Sequence, residues 1–156
     1  MGAMMEHSIL WLLAAVGIGL LGLSFRVFSP REVWLSFLLN AYISSLAGLI
    51  VSGAGMLAYP VRLFPKYTND SVIFEYLLYP VVSVYVYGTS RRSGWKGIWM
   101  QCAAYTGVMT AVEILLEQHT DLIEYHAWKW EYSFVSMFVV TLAVRVMAGR
   151  LLKENG

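Results

Sequence analysis

The sequence predicts an all-α integral membrane protein: a compact bundle of about five transmembrane helices, N-terminus outside and C-terminus cytoplasmic. Three observations predict it. Of 156 residues, 58% are hydrophobic and 13% charged, about half the charged share of a soluble domain. The charge-free runs are long: 18 residues from Ser8 to Phe25, 29 from Val33 to Val61, then 15, 16 and 13 at 76–90, 97–112 and 132–144. A soluble fold would have no polar faces to turn outward on five such helices. Finally, the basic residues collect on one side of the alternating spans.

Composition removes other classes. The 11 Lys and Arg nearly cancel the 10 Asp and Glu, leaving a net charge of +1 and no electrostatic footprint for nucleic acid. The apolar content excludes a disordered chain. Cys102 is the only cysteine, so no disulfide framework exists within the chain.

The spans fall at about 8–25, 34–58, 72–89, 96–116 and 132–149 of one transmembrane domain covering 1–156. The first two runs reach the roughly 18 apolar residues of a single crossing. The others fall short because Glu75, Glu113 and Arg145 stand at their edges. The first span reads as retained rather than as a signal peptide: Met1 to His7 carries Glu6 but no Lys or Arg, and Gly22-Leu23-Ser24-Phe25-Arg26 is a poor cleavage site. His7 reads as interfacial. The second span lies between Pro30 and Pro60, which suit helix boundaries, and its length implies tilt or extension into the interface. Pro80 inside the third span predicts a kink or local break. In the fourth, Cys102 reads as a buried neutral thiol. Thr106 and Thr110, a turn apart and leading to Glu113 with Tyr105 nearby, are expected to line any central cavity.

Small residues suit close helix packing: Ser44, Gly48 and Ser52 in span two, and Ala15, Gly19 and Gly22 in span one. Their neighbour can be in the same chain or another. No internal repeat is present. Arg62, Lys66 and Lys129 fall on one side, whereas Arg26, Arg31, Arg91, Arg92, Lys96, Arg150 and Lys153 fall on the other, with Arg145 near that edge. The positive-inside rule makes the second side cytoplasmic. Arg91, Arg92 and Lys96 then read as topology signals touching anionic lipid. Trp34, Tyr59, Trp95, Trp99, Trp128, Trp130 and Tyr132 sit near span ends, as interfacial aromatics do.

The polar exceptions mark candidate sites. Carboxylates in hydrocarbon normally face protein or a water-filled cavity. Glu75, Glu113 and Glu117 approach one depth at the external side, where they suit structural pairing or the binding of a cation or headgroup. Should helicity continue past the membrane edge, Glu113, Glu117, Asp121 and Glu124 form one carboxylate stripe, with His119 and His126 sharing a face. No His-Glu-x-x-His pattern or cysteine pair accompanies them, so neither a metal site nor a cofactor is expected. Toward the other side, Asn40 and Arg145 lie at similar depth, which allows a mutual contact, while snorkelling of Arg145 to the headgroups is the favoured reading.

Phe74-Glu75-Tyr76-Leu77-Leu78-Tyr79-Pro80 and the run from Glu113 to Phe134, with Thr120-Asp121-Leu122-Ile123-Glu124-Tyr125-His126-Ala127-Trp128-Lys129-Trp130-Glu131-Tyr132 at its centre, resemble a family of small uncharacterised multi-pass membrane proteins of Bacillus- and Clostridium-type spore formers. The resemblance covers residues 60–152. It implies a small integral protein of the bacterial cell membrane and brings no substrate or catalytic residue.

Three functional classes remain. The leading one is a nonenzymatic accessory or sensory component whose external acidic and aromatic loop meets a partner or lipid, with self-association through the small-residue faces. The alternative is a small ion-coupled transporter using Glu75, Glu113 and Glu117, with Pro80 as a flexible point. The third is an interfacial lipid-processing enzyme built on Glu117, His119 and His126.

Overall fold

The computed structural model describes residues 2–153. Helix α1 spans Gly2–Val27, α2 Pro30–Gly53, α3 Tyr79–Ser90, α4 Trp95–His119 and α5 Trp130–Lys153. A π turn at Phe74–Leu78 leads directly into α3. Two short strands, β1 at Leu57–Ala58 and β2 at Glu124–Tyr125, pair antiparallel and join the two long loops. The chain is thus an all-α bundle of about five helices, and α1, α2, α4 and α5 are each long and apolar enough to cross a membrane.

Its surface has the polarity of a membrane protein. Trp11, Ile18, Tyr42, Ile50, Met100 and Val108 are all well exposed along the helices, in patches that water would not tolerate on a monomer. The interior instead collects Ser36, Asn40, Ser44, Ser83, Thr106, Thr110, Ser133 and Thr141. Hydroxyls satisfy themselves inside a helix where they can: Thr106 and Thr110 donate to the carbonyls of Cys102 and Thr106, at 2.7 and 2.8 Å.

Local sequence sets the helix ends. Ser29 caps α2 in a reciprocal capping box with Glu32, and Pro30 occupies the first turn, where its missing amide is harmless. Glu32 also pairs with Arg91 at 2.9 Å, tying the start of α2 to the end of α3. Helix α2 stops at Gly53, short of the expected 58. Gly55 takes a left-handed φ of 69°, and Met56 donates back to the Val51 carbonyl in a closing turn. The chain then crosses the end of the bundle as β1.

Helices α2, α3, α4 and α5 form the centre, with the most extensive contact between α2 and α3, and α1 lies against the π turn and α3. The face of α1 that packs is Leu10, Ala14, Gly17 and Ser24, where Gly17 admits the Leu77 side chain. The Ala15–Gly19–Gly22 ridge points away from the bundle. Next to the α1–α2 turn, Phe28 occupies the space beside Gly88 that a Cβ would need.

Substituting Gly88→Ala therefore forces the Phe28 ring out of place and costs about 1–3 kcal/mol of stability. Gly19→Ala enters open space and costs nothing. Thermal unfolding of both variants in detergent measures the difference.

Candidate functional site

One end of the bundle is roofed by the two long loops. Leu57 pairs with Tyr125 and Ala58 with Glu124, while the amides of His126 and Ala127 both donate to the Met56 carbonyl at 3.1 Å. Arg62 ties the first loop by donating to the carbonyls of Tyr59 and Thr68, both at 2.6 Å. Ser52 donates to Asp70, fastening that loop to α2. From α1, the buried Glu6 carboxylate accepts the Asp121 amide at 3.1 Å.

Beneath this roof lies a cavity of about 100 Å³, enough for roughly three waters or one small organic ion. Glu75 enters it from the π turn and Glu113 from α4, among mostly apolar walls that include Phe74, Met109, Ile123 and Trp128. Two local features place Glu75. Pro80 has no amide to offer the preceding turn, and the Glu75 carbonyl, five residues earlier, instead accepts the Ser44 hydroxyl at 2.9 Å. Gly48 leaves the space opposite, since a Cβ there would stand 3.1 Å from the Glu75 carboxyl. The Tyr59 hydroxyl reaches Glu75 Oε1 at 3.4 Å.

Glu113 is held more tightly. Its Oε1 accepts the Tyr125 hydroxyl at 2.8 Å and the Ser133 hydroxyl at 2.7 Å, and Ser133 Oγ in turn accepts Trp128 Nε1 at 2.7 Å. Burial raises the Tyr59 hydroxyl well above its ordinary pKa, and the negative charges of Glu75, Glu113 and Asp70 raise it further. Burial and then Glu113 raise Tyr125 likewise. Both phenols consequently stay protonated and serve as donors. Among the described residues, no Lys or Arg lines the cavity.

The expected acidic cluster divides. Glu75 and Glu113 meet at the cavity. The conditional stripe does not form, because α4 ends at His119: Thr120 turns extended while its hydroxyl and amide both bond the Leu116 carbonyl. Glu117 lies partly buried on the last turn of α4, away from the cavity lining. Asp121 joins the roof through its backbone. Glu124 sits exposed in β2, 3.9 Å from His126, and the exposed His119 ring meets its own helix at the Leu115 carbonyl. Among the described residues, no three His, Cys, Asp or Glu side chains converge as metal ligands would.

Two other expectations need correction. Asn40 and Arg145 have separate partners. Asn40 Nδ2 donates to Ser83 Oγ at 2.5 Å, whereas Arg145 Nε donates to Ser90 Oγ at 2.6 Å and its guanidinium lies 4.8 Å from the Tyr87 ring centre. The guanidinium therefore caps the end of α3 through Ser90. Thr106 and Thr110 do not line the cavity; Met109 and Glu113 represent α4 there. Their hydroxyls turn to the helix backbone, which removes the need for a polar cavity beside them.

Tyr59, Tyr125 and Ser133 carry the site and escaped notice in the sequence, where nothing separates them from interfacial aromatics and packing serines. Comparison with protein-family models, curated proteins and solved structures gives no match.

Ser133→Ala strips Glu113 of one donor and leaves the Trp128 indole N–H without its acceptor. The expected loss is about 1–3 kcal/mol, read as a fall in thermal midpoint together with a change in tryptophan fluorescence.

Proposed function

We propose that this membrane-embedded protein binds a small organic cation, of the amine or quaternary-ammonium class, in the Glu75–Glu113 cavity. The carrying observation is the convergence of two carboxylates, from the π turn and from α4, on one mostly apolar cavity with no basic residue among the described residues of its lining. Carboxylates supply charge recognition, and the rings of Tyr59, Phe74 and Trp128 offer faces to an alkylammonium body. This favours the ion-handling reading over the accessory one. The accessory reading retains one supporting feature: Glu124, His126 and Trp130 are exposed beside the roof, where a protein partner or lipid headgroup can meet them. Self-association through Ala15, Gly19 and Gly22 belongs to that second reading.

The resemblance to small spore-former proteins and the excess of basic residues at the Arg145 end support a location in the bacterial cell membrane. On that reading the third helix also crosses, and the roof faces outward.

Titrating tetramethylammonium into the protein in nanodiscs tests the cavity. Wild type binds, and Glu75→Gln and Glu113→Gln each weaken binding at least about tenfold, or 1.4 kcal/mol. Absence of binding by wild type, or unchanged binding by the double variant, refutes the reading. Orientation is tested in a Cys102→Ser background. A membrane-impermeant maleimide labels intact cells at Lys66→Cys and spares Lys153→Cys; the reverse pattern inverts the topology.

A further inference from the structure

The carboxylate cavity has room for a cationic head and none for a body attached to it. At about 100 Å³ it takes one small ion, so any longer occupant must extend out of it. The roof is packed: Leu57, Tyr59 and Ile123 line the cavity from the loop side and are buried, and the Trp128 indole is pinned to Ser133. The walls supplied by α2 and α5 differ. Ala47, Gly48 and Val51 of α2 and Ser136, Met137 and Val140 of α5 line the cavity and are each only half-buried.

These two walls run beside the cavity from Ser44 to Val51 and from Ser133 to Val140, roughly 10 Å along each helix. The side chains there are small at Ala47, Gly48 and Ser136. The Ser136 hydroxyl donates to the Ser133 carbonyl of its own helix at 3.1 Å and so asks for no polar neighbour. Beside them Leu46 and Ile50 on α2, and Val135 and Val139 on α5, are exposed, an apolar surface suited to hydrocarbon. The cavity also lies close to the ends of both helices, Gly53 and Trp130. That is near the headgroup level, where the polar end of an amphiphile sits.

We propose that the occupant is a cationic amphiphile, an alkylammonium whose head enters the Glu75–Glu113 cavity sideways between α2 and α5 and whose chain stays in the bilayer. The inference deepens the organic-cation reading and rests on it. Charge selects the head. Glu113 commits Oε1 to Tyr125 and Ser133, and Glu75 Oε1 meets Tyr59 at 3.4 Å, which leaves the second oxygen of each carboxylate for an ammonium. A phospholipid brings a phosphate as well. Two carboxylates repel it, and no Lys or Arg among the described lining residues offsets them. A phosphate-free head therefore fits where phosphatidylcholine does not. The chain needs no groove of its own, because lipid tails are as apolar as an aliphatic protein wall.

The test is competition on the full-length protein in nanodiscs of zwitterionic lipid. Alkyltrimethylammonium ions from butyl to decyl, kept dilute in the lipid, displace tetramethylammonium, with affinity referred to the free aqueous concentration. A bound chain that stays in lipid tightens binding by roughly threefold for each added methylene, while decyl sulfate and decanol displace nothing. Affinity that is flat or falls with chain length overturns the inference and leaves the small-cation reading standing. Position is read with a decyltrimethylammonium analogue carrying a diazirine at the middle of its chain. Photolysis labels α2 and α5, and the label is lost in the Glu75→Gln/Glu113→Gln double variant. Labelling of the 57–71 or 120–129 loop instead overturns the inference, as does undiminished labelling of the double variant. Should that variant fail to fold, excess tetramethylammonium serves as the competitor that abolishes labelling. Wild type that binds the decyl probe through the two carboxylates but not tetramethylammonium supports the amphiphile and overturns the small-cation reading. Wild type that binds neither overturns both.

Discussion

The hydrogen bond from Ser44 Oγ to the Glu75 carbonyl, 2.9 Å long, joins the backbone irregularity to the site. Pro80, in the first turn of α3, withholds an amide from the π turn before it. A neighbouring hydroxyl takes up the freed carbonyl, as a buried polar backbone group requires. With that bond made, the π turn at Phe74–Leu78 persists, and Glu75 is aimed at Gly48 and the cavity. A regular helix through this segment would rotate Glu75 relative to Ser44 and Tyr59. π turns often accompany functional sites for this reason: an added residue per turn redirects a side chain without ending the helix.

The roof illustrates how little regular structure is needed to close such a site. β1 and β2 have two residues each, too few for independent stability. They are supported by apolar packing of Leu57, Tyr59, Leu122 and Ile123 against Leu10, Phe74 and Leu78, and by the Glu6 carboxylate from α1. The first helix thus contributes to the site from a distance, through the loop that covers it. The same packing excludes water from Tyr59 and keeps its hydroxyl a donor.

The sequence made the bundle legible because hydrocarbon imposes long charge-free runs, and few folds other than membrane helices need them. It also marked Glu75 and Glu113, since a carboxylate among apolar residues is conspicuous wherever it falls. The carboxylate stripe past His119 failed for a local reason: Thr120 caps α4 with its hydroxyl on the Leu116 carbonyl, a competition that periodicity does not weigh. The Asn40–Arg145 pairing failed because similar depth is no measure of azimuth. Asn40 faces α3 at Ser83, whereas Arg145 approaches α3 at its end.

By itself the sequence determined the solvent, the helical class and the residues too polar to be lipid-facing, because these follow from transfer free energies of individual side chains. Tertiary structure decided which of them meet. Tyr125 reaches Glu113 across twelve positions and Ser133 reaches it across twenty, contacts fixed by a two-residue strand pair and by the α4–α5 packing. Hydroxyls carry no periodic signature of their own, so their partners emerge only once the helices are rotated and the loops closed.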